Sequence, residues 1–351
     1  MQVGIIGLKF TGKTTLYNAV TGAGIPTGQG GVDPHRAIGQ VPDPRLDFLH
    51  QQYLPRRKVN AQVEWVDIPG FQAGPSTDGD REAIRFLEHG RKVDALAQVV
   101  RCFDAGFGPP DPVHEIETLA LELALADLQI VENRLDKLIK DKQKIGKLDN
   151  PQEPDLLERF RTQLERDRPL RELELHADEV KIAAGFRFLT QKPLIYVLNH
   201  GEGAEPQSQA ETTANRAGGE VVTICAKMEE ELAELSPDEA AEFLNDLGIS
   251  EPALSRMIRA AYTTLNLQSF FTIGKDEVRA WNVPKGTKAP EAAGVIHTDM
   301  ERGFIRAVVV AYEDFFSCGD MAAAKQANKV REEGKNYVVQ DGDIIEIRFN
   351  V

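Results

Sequence analysis

The motif Gly7-Leu8-Lys9-Phe10-Thr11-Gly12-Lys13-Thr14 is the strongest indication of the fold of this chain. It fits the pattern G-x-x-x-x-G-K-[ST] in full, between the strand-like run Val3–Ile6 and the helix-like segment Thr14–Thr21. The glycines of such a loop let backbone N–H groups turn inward around the α- and β-phosphates of a nucleotide, and the helix N-terminus adds partial positive charge. The lysine reaches the β- and γ-phosphates, and the final hydroxyl binds Mg²⁺. We predict nucleotide contacts at Gly7, Lys9, Phe10, Thr11, Gly12, Lys13, Thr14 and Thr15.

Short apolar runs alternate with helical or loop segments through the first 100 residues and again over residues 190–225. This alternation is typical of an α/β fold, a doubly wound and mostly parallel sheet with helices between its strands. Ligands of such sheets bind beyond the carboxyl ends of the strands. Further strands are predicted at Gln62–Val66, Ala95–Val100, Leu194–Leu198 and Val221–Cys225, and a helix at Arg81–Arg91.

Two segments depart from this alternation. Apolar residues recur with helical spacing through residues 115–148, a turn follows at 149–154, and a second helix is predicted at Leu156–Arg166. This pattern indicates an antiparallel helical hairpin inserted between two strands of the sheet. A small α+β domain of about 85 residues is predicted after Leu265. Its predicted elements are the strands Val278–Val283, Phe304–Ala311 and Ile344–Val351 and the helix Met321–Glu332.

The 351 residues include 41 Lys and Arg against 55 Asp and Glu, which gives a net charge of −14. A chain this acidic is repelled by a phosphate backbone, so sequence-independent binding to nucleic acid is disfavoured. The segment Glu132–Lys147 nevertheless holds six basic and three acidic residues, a local charge of +3. It is either a solvated helix face or a basic helix tip that touches RNA.

Cys102, Cys225 and Cys318 are too widely spaced for a zinc motif and do not suggest a disulfide framework. No run approaches the roughly 18 apolar residues of a membrane span. The first residues lack the basic stretch of a signal peptide. We therefore expect a cytoplasmic protein that does not enter a membrane.

A second motif, Val66-Asp67-Ile68-Pro69-Gly70, ends a predicted strand 53 residues after Thr14. An Asp at this place can hold Mg²⁺ through a water, and the glycine N–H can bond the γ-phosphate. We predict Lys13, Asp67 and Gly70 as the catalytic set and Thr14 with Asp67 as the Mg²⁺ site. The two motifs together indicate a switch that senses the γ-phosphate, as in the GTPases.

A third motif, Asn199-His200-Gly201-Glu202, follows the strand Leu194–Leu198, where a GTPase usually has Asn-Lys-x-Asp. That Asp accepts hydrogen bonds from guanine, and Glu202 is one methylene longer, so it would not reproduce the contact. Asn199 could still bond the amine and a ring nitrogen of adenine. The motif therefore predicts base contacts at Asn199 and Glu202 with ATP preferred, and an ordinary polar turn is the alternative.

The motifs resemble those of the YchF/Obg-like ATPase family over nearly the whole chain, including the phosphate loop, the VDIPG motif and the Asn199/Glu202 pair. Further matching stretches are PDPRLD (Pro42–Asp47), VVRCF (Val99–Phe103), ELALADL (Glu122–Leu128), EVRAW (Glu277–Trp281), AAGVIHTD (Ala292–Asp299), GFIRA (Gly303–Ala307) and YVVQDGDIIEIRFNV (Tyr337–Val351). The C-terminal stretches resemble a TGS domain, which is a ubiquitin-like β-grasp module.

This resemblance implies a P-loop GTPase-type G domain at residues 1–114 and 190–265, an inserted helical arm at 115–189 and a C-terminal TGS domain at 266–351. It also implies ATP and Mg²⁺ as ligands, with GTP as a second nucleotide, and the ribosome or translation factors as partners. Ala226 and Lys227 match the loop with which the family lines the base, so both become candidate nucleotide contacts. We expect a monomer.

The chain departs from the family pattern at several places. Lys9, Phe10 and Thr11 stand where the family usually has Pro, Asn and Val. Gly31 stands at the position of the switch Thr, and the segment after Phe103 is shorter and lacks the His that relatives often carry. Phe71 follows Gly70 where Ras-like proteins place a water-orienting Gln, which predicts slow intrinsic hydrolysis.

We therefore hypothesise an ATP-binding switch protein that hydrolyses its nucleotide slowly and acts in translation or stress regulation at the ribosome. The alternative is a nucleotide-dependent binding module with negligible hydrolysis that docks through its TGS domain and arm. A small-molecule kinase is disfavoured, because the switch and base-reading motifs belong to switch proteins and no lid segment accompanies them.

Overall fold

The structure is a computed structural model. It describes residues 1–28, 33–71, 77–106, 108–145, 147, 150–203, 207–247, 249 and 251–350, with the backbone alone at 77–80, 145 and 237. The chain divides into two compact units. The first unit combines Met1–Ala37 with Glu64–Ala261, and the second combines Ile38–Val63 with Tyr262–Val351.

The elements as far as residue 145 are, in chain order, β1 (Gln2–Ile6), α1 (Lys13–Thr21), β2 (His35–Val41), α2 (Pro44–Tyr53), β3 (Arg57–Val59), β4 (Ala61–Asp67), α3 (Thr77–Lys92), β5 (Ala95–Cys102) and α4 (Pro112–Ile145). They are followed by α5 (Glu153–Leu164), a 3-10 turn (Leu170–Glu172), α6 (Ala177–Ala184), β6 (Leu194–His200), α7 (Ser208–Arg216), β7 (Glu220–Ile224), α8 (Ala226–Glu234), α9 (Pro237–Asp246) and α10 (Ala253–Thr264). The remaining elements are β8 (Leu267–Ile273), β9 (Glu277–Pro284), α11 (Ala289–Ile296), α12 (Thr298–Arg302), β10 (Phe304–Ala311), α13 (Tyr312–Cys318), α14 (Met321–Gln326), β11 (Arg331–Glu333) and β12 (Asp343–Phe349).

The first sheet has the strand order β2-β4-β1-β5-β6-β7. The pairs β1–β4, β1–β5, β5–β6 and β6–β7 are all parallel, so the predicted α/β fold with a mostly parallel sheet is confirmed. Their register places Asp67 opposite Ile5, immediately before the phosphate loop. The ends of β1, β4 and β6 therefore meet at one edge of the sheet, where ligands of such folds bind.

The strand predicted at Leu194–Leu198 corresponds to β6, and its predicted end at Leu198 is wrong. Asn199 and His200 still belong to β6, because Asn199 pairs with Ile224 of β7 and His200 pairs with Cys102 of β5. The ladder continues on both sides of β6, and hydrogen bonds made by the Asn199 side chain compensate for its burial.

The helical arm of the first unit is built from α4 and α5. Apolar side chains at helical spacing on the second half of α4 pack against α5 in a separate core cluster, which includes Val131, Leu135, Leu156 and Phe160. The Arg134 guanidinium donates to both carboxylate oxygens of Glu153, at 2.6 and 2.9 Å. In the part of the chain that the structure describes, no helix is both long enough and apolar enough to cross a membrane.

The second unit contains a sheet of order β11-β10-β12-β8-β9-β3 with a core of its own beneath α11. The strands predicted after Leu265 are present, but the helix predicted at Met321–Glu332 is too long. It ends at Gln326 because Asn328 adopts a left-handed backbone (φ 55°), which ends a helix, and Arg331–Glu333 then pairs with β10 as strand β11. The sequence also did not predict that Ile38–Val63, with α2 and β3, groups with the C-terminal residues.

Candidate nucleotide-binding site

The phosphate loop needs glycine at both ends of its motif. Gly7 (φ 148°) and Gly12 (φ 90°) have backbone conformations that other residues rarely adopt. A Cβ on Gly7 would lie 2.5 Å from the backbone oxygen of Val99, and one on Gly12 would lie 2.3 Å from Nδ2 of Asn199. The sequence therefore folds into this loop only because these two positions carry no side chain.

Lys13 lies at the first turn of α1 with its side chain inside the site. Its Nζ donates to the backbone oxygen of Leu8 at 2.5 Å. Burial lowers the pKa of Lys13 to about 8, although the Asp67 carboxylate partly opposes this shift. Gly70 lies directly against the same loop, since a Cβ there would come within 2.5 Å of Nζ of Lys13 and 2.8 Å of the oxygen of Gly7.

Thr14 and Asp67 meet at the edge of the sheet. The Thr14 hydroxyl donates to Oδ2 of Asp67 at 2.8 Å, and Oδ1 of Asp67 is buried without a hydrogen-bond partner among the described residues. Burial raises the pKa of Asp67, and the Thr14 hydrogen bond and the Lys13 charge oppose that rise. A hydroxyl beside an unsatisfied carboxylate oxygen fits Mg²⁺, which prefers hard oxygen ligands.

Asn199 makes two hydrogen bonds that its motif does not predict. Its side chain is buried, Nδ2 donates to the backbone oxygen of Thr11 at 2.9 Å, and Oδ1 accepts from the backbone N–H of Ala226 at 3.0 Å. Asn199 thus ties the phosphate loop to the start of α8. These two bonds indicate that Asn199 positions two loops, and its contact with the base stays a prediction.

Glu202 and Lys227 are brought together at the surface, although 25 residues separate them. Nζ of Lys227 lies 3.4 Å from a carboxylate oxygen of Glu202, and Lys227 also pairs with Glu231 at 3.7 Å. The Glu202 pair raises the pKa of Lys227. The two candidate base contacts are therefore neighbours, and their opposite charges attract each other.

A cavity of about 720 Å³ opens above the phosphate loop, a size typical of small-molecule sites. Among the predicted residues, those lining it are Lys9, Phe10, Gly12, Lys13, Thr14, Thr15, Asp67 and Gly70. The predicted residues outside its lining are Gly7, Thr11, Asn199, Glu202, Ala226 and Lys227. The cavity therefore corresponds to the phosphate end of the site, and the candidate base contacts lie beyond it.

One face of α3 also lines the cavity, and this was not predicted from the sequence. Glu82, Arg85, Phe86 and His89 all line it. Their spacing of three, four and seven residues places them on one face of the helix, a pattern that the sequence did contain. Burial lowers the pKa of His89, with a further contribution from the charge of Lys92.

The positions at which the sequence departs from the family pattern differ in what the structure says of them. Gly31 lies outside the described residues. The first histidine after the shortened segment is His114, which lies in the first turn of α4 with Nε2 3.4 Å from the Thr118 hydroxyl and does not line the cavity. Phe71 is buried, and its ring centroid is 4.9 Å from that of Phe86.

Comparison with known proteins decides the family. Over its full length the chain is 44% identical to "Ribosome-binding ATPase YchF" of Pasteurella multocida, covering 99% of that protein, and 43% identical to the protein of the same name from Bacillus subtilis, covering all of it. The chain belongs to the YchF family. A solved structure, the YchF GTPase of Schizosaccharomyces pombe, matches with a TM-score of 0.86 and 32% identity over 99% of this chain and 97% of that one. The family model YchF-GTPase_C, described as "Protein of unknown function (DUF933)", matches residues 267–350. The YchF family thus accounts for both units.

Proposed function

We propose that this chain is a Mg²⁺-dependent nucleotide switch that prefers ATP to GTP and hydrolyses ATP slowly. The buried, unpartnered Oδ1 of Asp67 beside Thr14 carries this proposal, because it leaves a ligand position open within a cavity that suits nucleotide phosphates. Bound Mg²⁺ would neutralise charge on the β- and γ-phosphate oxygens.

Each residue of the phosphate end has a defined task in this proposal. The Lys13 ammonium would turn from the oxygen of Leu8 to the β- and γ-phosphates, whose negative charge favours its protonated form. Gly70 lies close enough to the loop for its backbone N–H to meet a γ-phosphate. Hydrolysis would be the in-line attack of water on the γ-phosphorus, with Lys13 stabilising the developing charge.

The low rate follows from Phe71. Its ring is buried against Phe86, so it offers no hydrogen bond to an attacking water where other switch proteins use Gln. The same observation favours the second candidate, a nucleotide-dependent binding module with negligible hydrolysis. Single-turnover hydrolysis of ATP, with and without ribosomes, separates the two. A near-zero rate that ribosomes do not raise would favour the module.

The preference for ATP follows from the base end of the site. The Glu202 carboxylate is engaged by Lys227, which reduces its ability to accept hydrogen bonds from guanine. Adenine has an acceptor, its ring N1, where guanine has a donor. Binding of adenine therefore loses no hydrogen bond when the Glu202 carboxylate is paired with Lys227. Ala226, whose backbone N–H donates to Oδ1 of Asn199, would lie beside the base at the start of α8.

The ribosome is the proposed partner because curated relatives of this chain are named ribosome-binding ATPases. The basic segment of α4 gives the arm a local positive charge in an otherwise acidic chain, which suits contact with RNA. We propose a cytoplasmic monomer. Co-sedimentation with ribosomes in the presence of ATP or ADP tests the contact, and binding that is absent with both nucleotides would contradict it.

A further inference from the structure

The phosphate loop holds a second lysine whose partner is on α3. Nζ of Lys9 lies 2.8 Å from Oε2 of Glu82 and 2.9 Å from Oε1, although the two residues are 73 apart in the chain. Lys9 belongs to the loop that would hold the phosphates. Glu82 belongs to the helix that follows the Asp67–Gly70 motif. The ion pair therefore joins the phosphate-binding loop to α3.

The side chains of Lys9 and Lys13 share one cavity. Both line the cavity above the phosphate loop, and Glu82 lines it as well. Burial is the main reason for the lowered pKa of Lys13, and the charge of Lys9 makes a smaller contribution in the same direction. An anion in this cavity would therefore meet two lysines.

Lys9 can exchange its partner in this ion pair for a phosphate. The Lys9 and Glu82 side chains are 35% and 38% exposed, so water screens their attraction. A terminal phosphate carries roughly twice the charge of one carboxylate and can compete for the ammonium. Arg85 lies three residues after Glu82 and lines the same cavity, so it can take over the carboxylate when Lys9 turns away.

We propose that the Lys9 ammonium exchanges between Glu82 and the terminal phosphate of a bound nucleoside triphosphate. A nucleoside diphosphate lacks that phosphate and leaves the pair with Glu82 intact. Lys9 would thereby distinguish ATP from ADP, and α3 would gain or lose its tie to the phosphate loop with the γ-phosphate. This inference rests on the nucleotide binding proposed above and adds a sensing residue to it.

The test measures the affinities of ADP and of the non-hydrolysable β,γ-imido analogue of ATP for the full chain. Lys9→Met keeps most of the side-chain length without the charge, and we expect about tenfold weaker binding of the ATP analogue with less than about twofold change for ADP. Glu82→Gln frees Lys9, and we expect binding of the ATP analogue to tighten about threefold with ADP unchanged. Glu88→Gln is the matched control, because it removes the same charge from an exposed position on the same helix and should leave both affinities unchanged.

A double variant separates exchange from a general effect of charge. In the Lys9→Met background, Glu82→Gln should no longer tighten binding of the ATP analogue. A gain that persists there, or an affinity ratio of ATP analogue to ADP that neither single variant alters, would overturn the exchange. Thermal melting shows whether each variant is folded. An unmodified chain that binds no nucleotide would instead overturn the proposed function itself.

Discussion

The Thr14 hydroxyl donates a 2.8 Å hydrogen bond to Oδ2 of Asp67, which joins the first turn of α1 to the end of β4 across 53 residues of sequence. The pair is possible because β1 and β4 are parallel neighbours, so the phosphate loop and Asp67 leave the sheet side by side. Two sequence motifs thereby bring together a hydroxyl and a carboxylate, the kind of hard oxygens that Mg²⁺ prefers.

Removal of the Thr14 hydroxyl should weaken binding that depends on Mg²⁺. Thr14→Val has nearly the same shape but no ligand oxygen, so we expect ATP affinity with Mg²⁺ to fall about tenfold and affinity with EDTA to stay the same. Thr14→Ser, which keeps the hydroxyl, is the control. Equal ATP affinity for Thr14→Val and the unmodified chain across a Mg²⁺ titration would remove Thr14 from the metal site.

Nucleotide affinity should depend on pH through Lys13. Because burial lowers its pKa to about 8, the free protein holds a protonated Lys13 below that pH and loses the charge above it. ATP should bind the protonated form, so its affinity should change little from pH 6.5 to 7.5 and fall about fivefold between pH 8 and 9. Lys13→Ala should bind weakly at every pH with a flat profile. A flat profile in the unmodified chain would exclude Lys13 as the titrating group.

Asn199 should affect all nucleotides alike. Asn199→Ala leaves the buried oxygen of Thr11 and the N–H of Ala226 without their partner, which should lower the free energy of unfolding by about 1–3 kcal/mol. Because these bonds position both loops, we expect ATP and GTP affinities to fall by the same factor. Denaturant unfolding and nucleotide titration measure the two effects. Loss of affinity for ATP alone would support the predicted contact of Asn199 with the base.

Substitution of Asp127 on α4 should destabilise the fold strongly. Its buried carboxylate accepts hydrogen bonds from Arg91 of α3 at 2.8 Å, from the N–H of Leu189 at 3.0 Å, and from the N–H and hydroxyl of Thr190 at 2.7 and 2.8 Å. Asp127→Asn keeps the shape but leaves Arg91 without its charge partner, so we expect a loss of about 3–5 kcal/mol in unfolding free energy. Asp136→Asn, on the second half of the same helix, is the exposed control and should change it by less than about 0.5 kcal/mol.

The phosphate end of the site could be predicted from the sequence because its chemistry lies in two short motifs. The phosphate loop and Asp67 follow buried strands, and parallel pairing then brings them together without further information. The role of Asn199 could not be predicted in this way, since a side chain that ends a strand can point to a ligand or to backbone groups. Here it satisfies the oxygen of Thr11 and the N–H of Ala226.

Other features depend on tertiary packing that no local pattern contains. The helix at Arg81–Arg91 was predicted, but which of its faces meets the phosphate loop depends on the position of Glu82 relative to Lys9. The strand β3 pairs with β9, which lies more than 200 residues later in the chain, so its short sequence gave no signal of its own. Met321–Glu332 has helical spacing throughout, and the backbone of Asn328 is what ends its helix.

A competition titration of ATP against GTP in the presence of Mg²⁺, with a fluorescent nucleotide analogue as the reporter, measures whether this chain prefers ATP. We expect tighter binding of ATP by the unmodified chain, and a shift towards GTP in Glu202→Asp, whose shorter carboxylate resembles that of the GTPases. Equal or tighter binding of GTP by the unmodified chain would contradict the claim, because the pair of Glu202 and Lys227 would then not select the base.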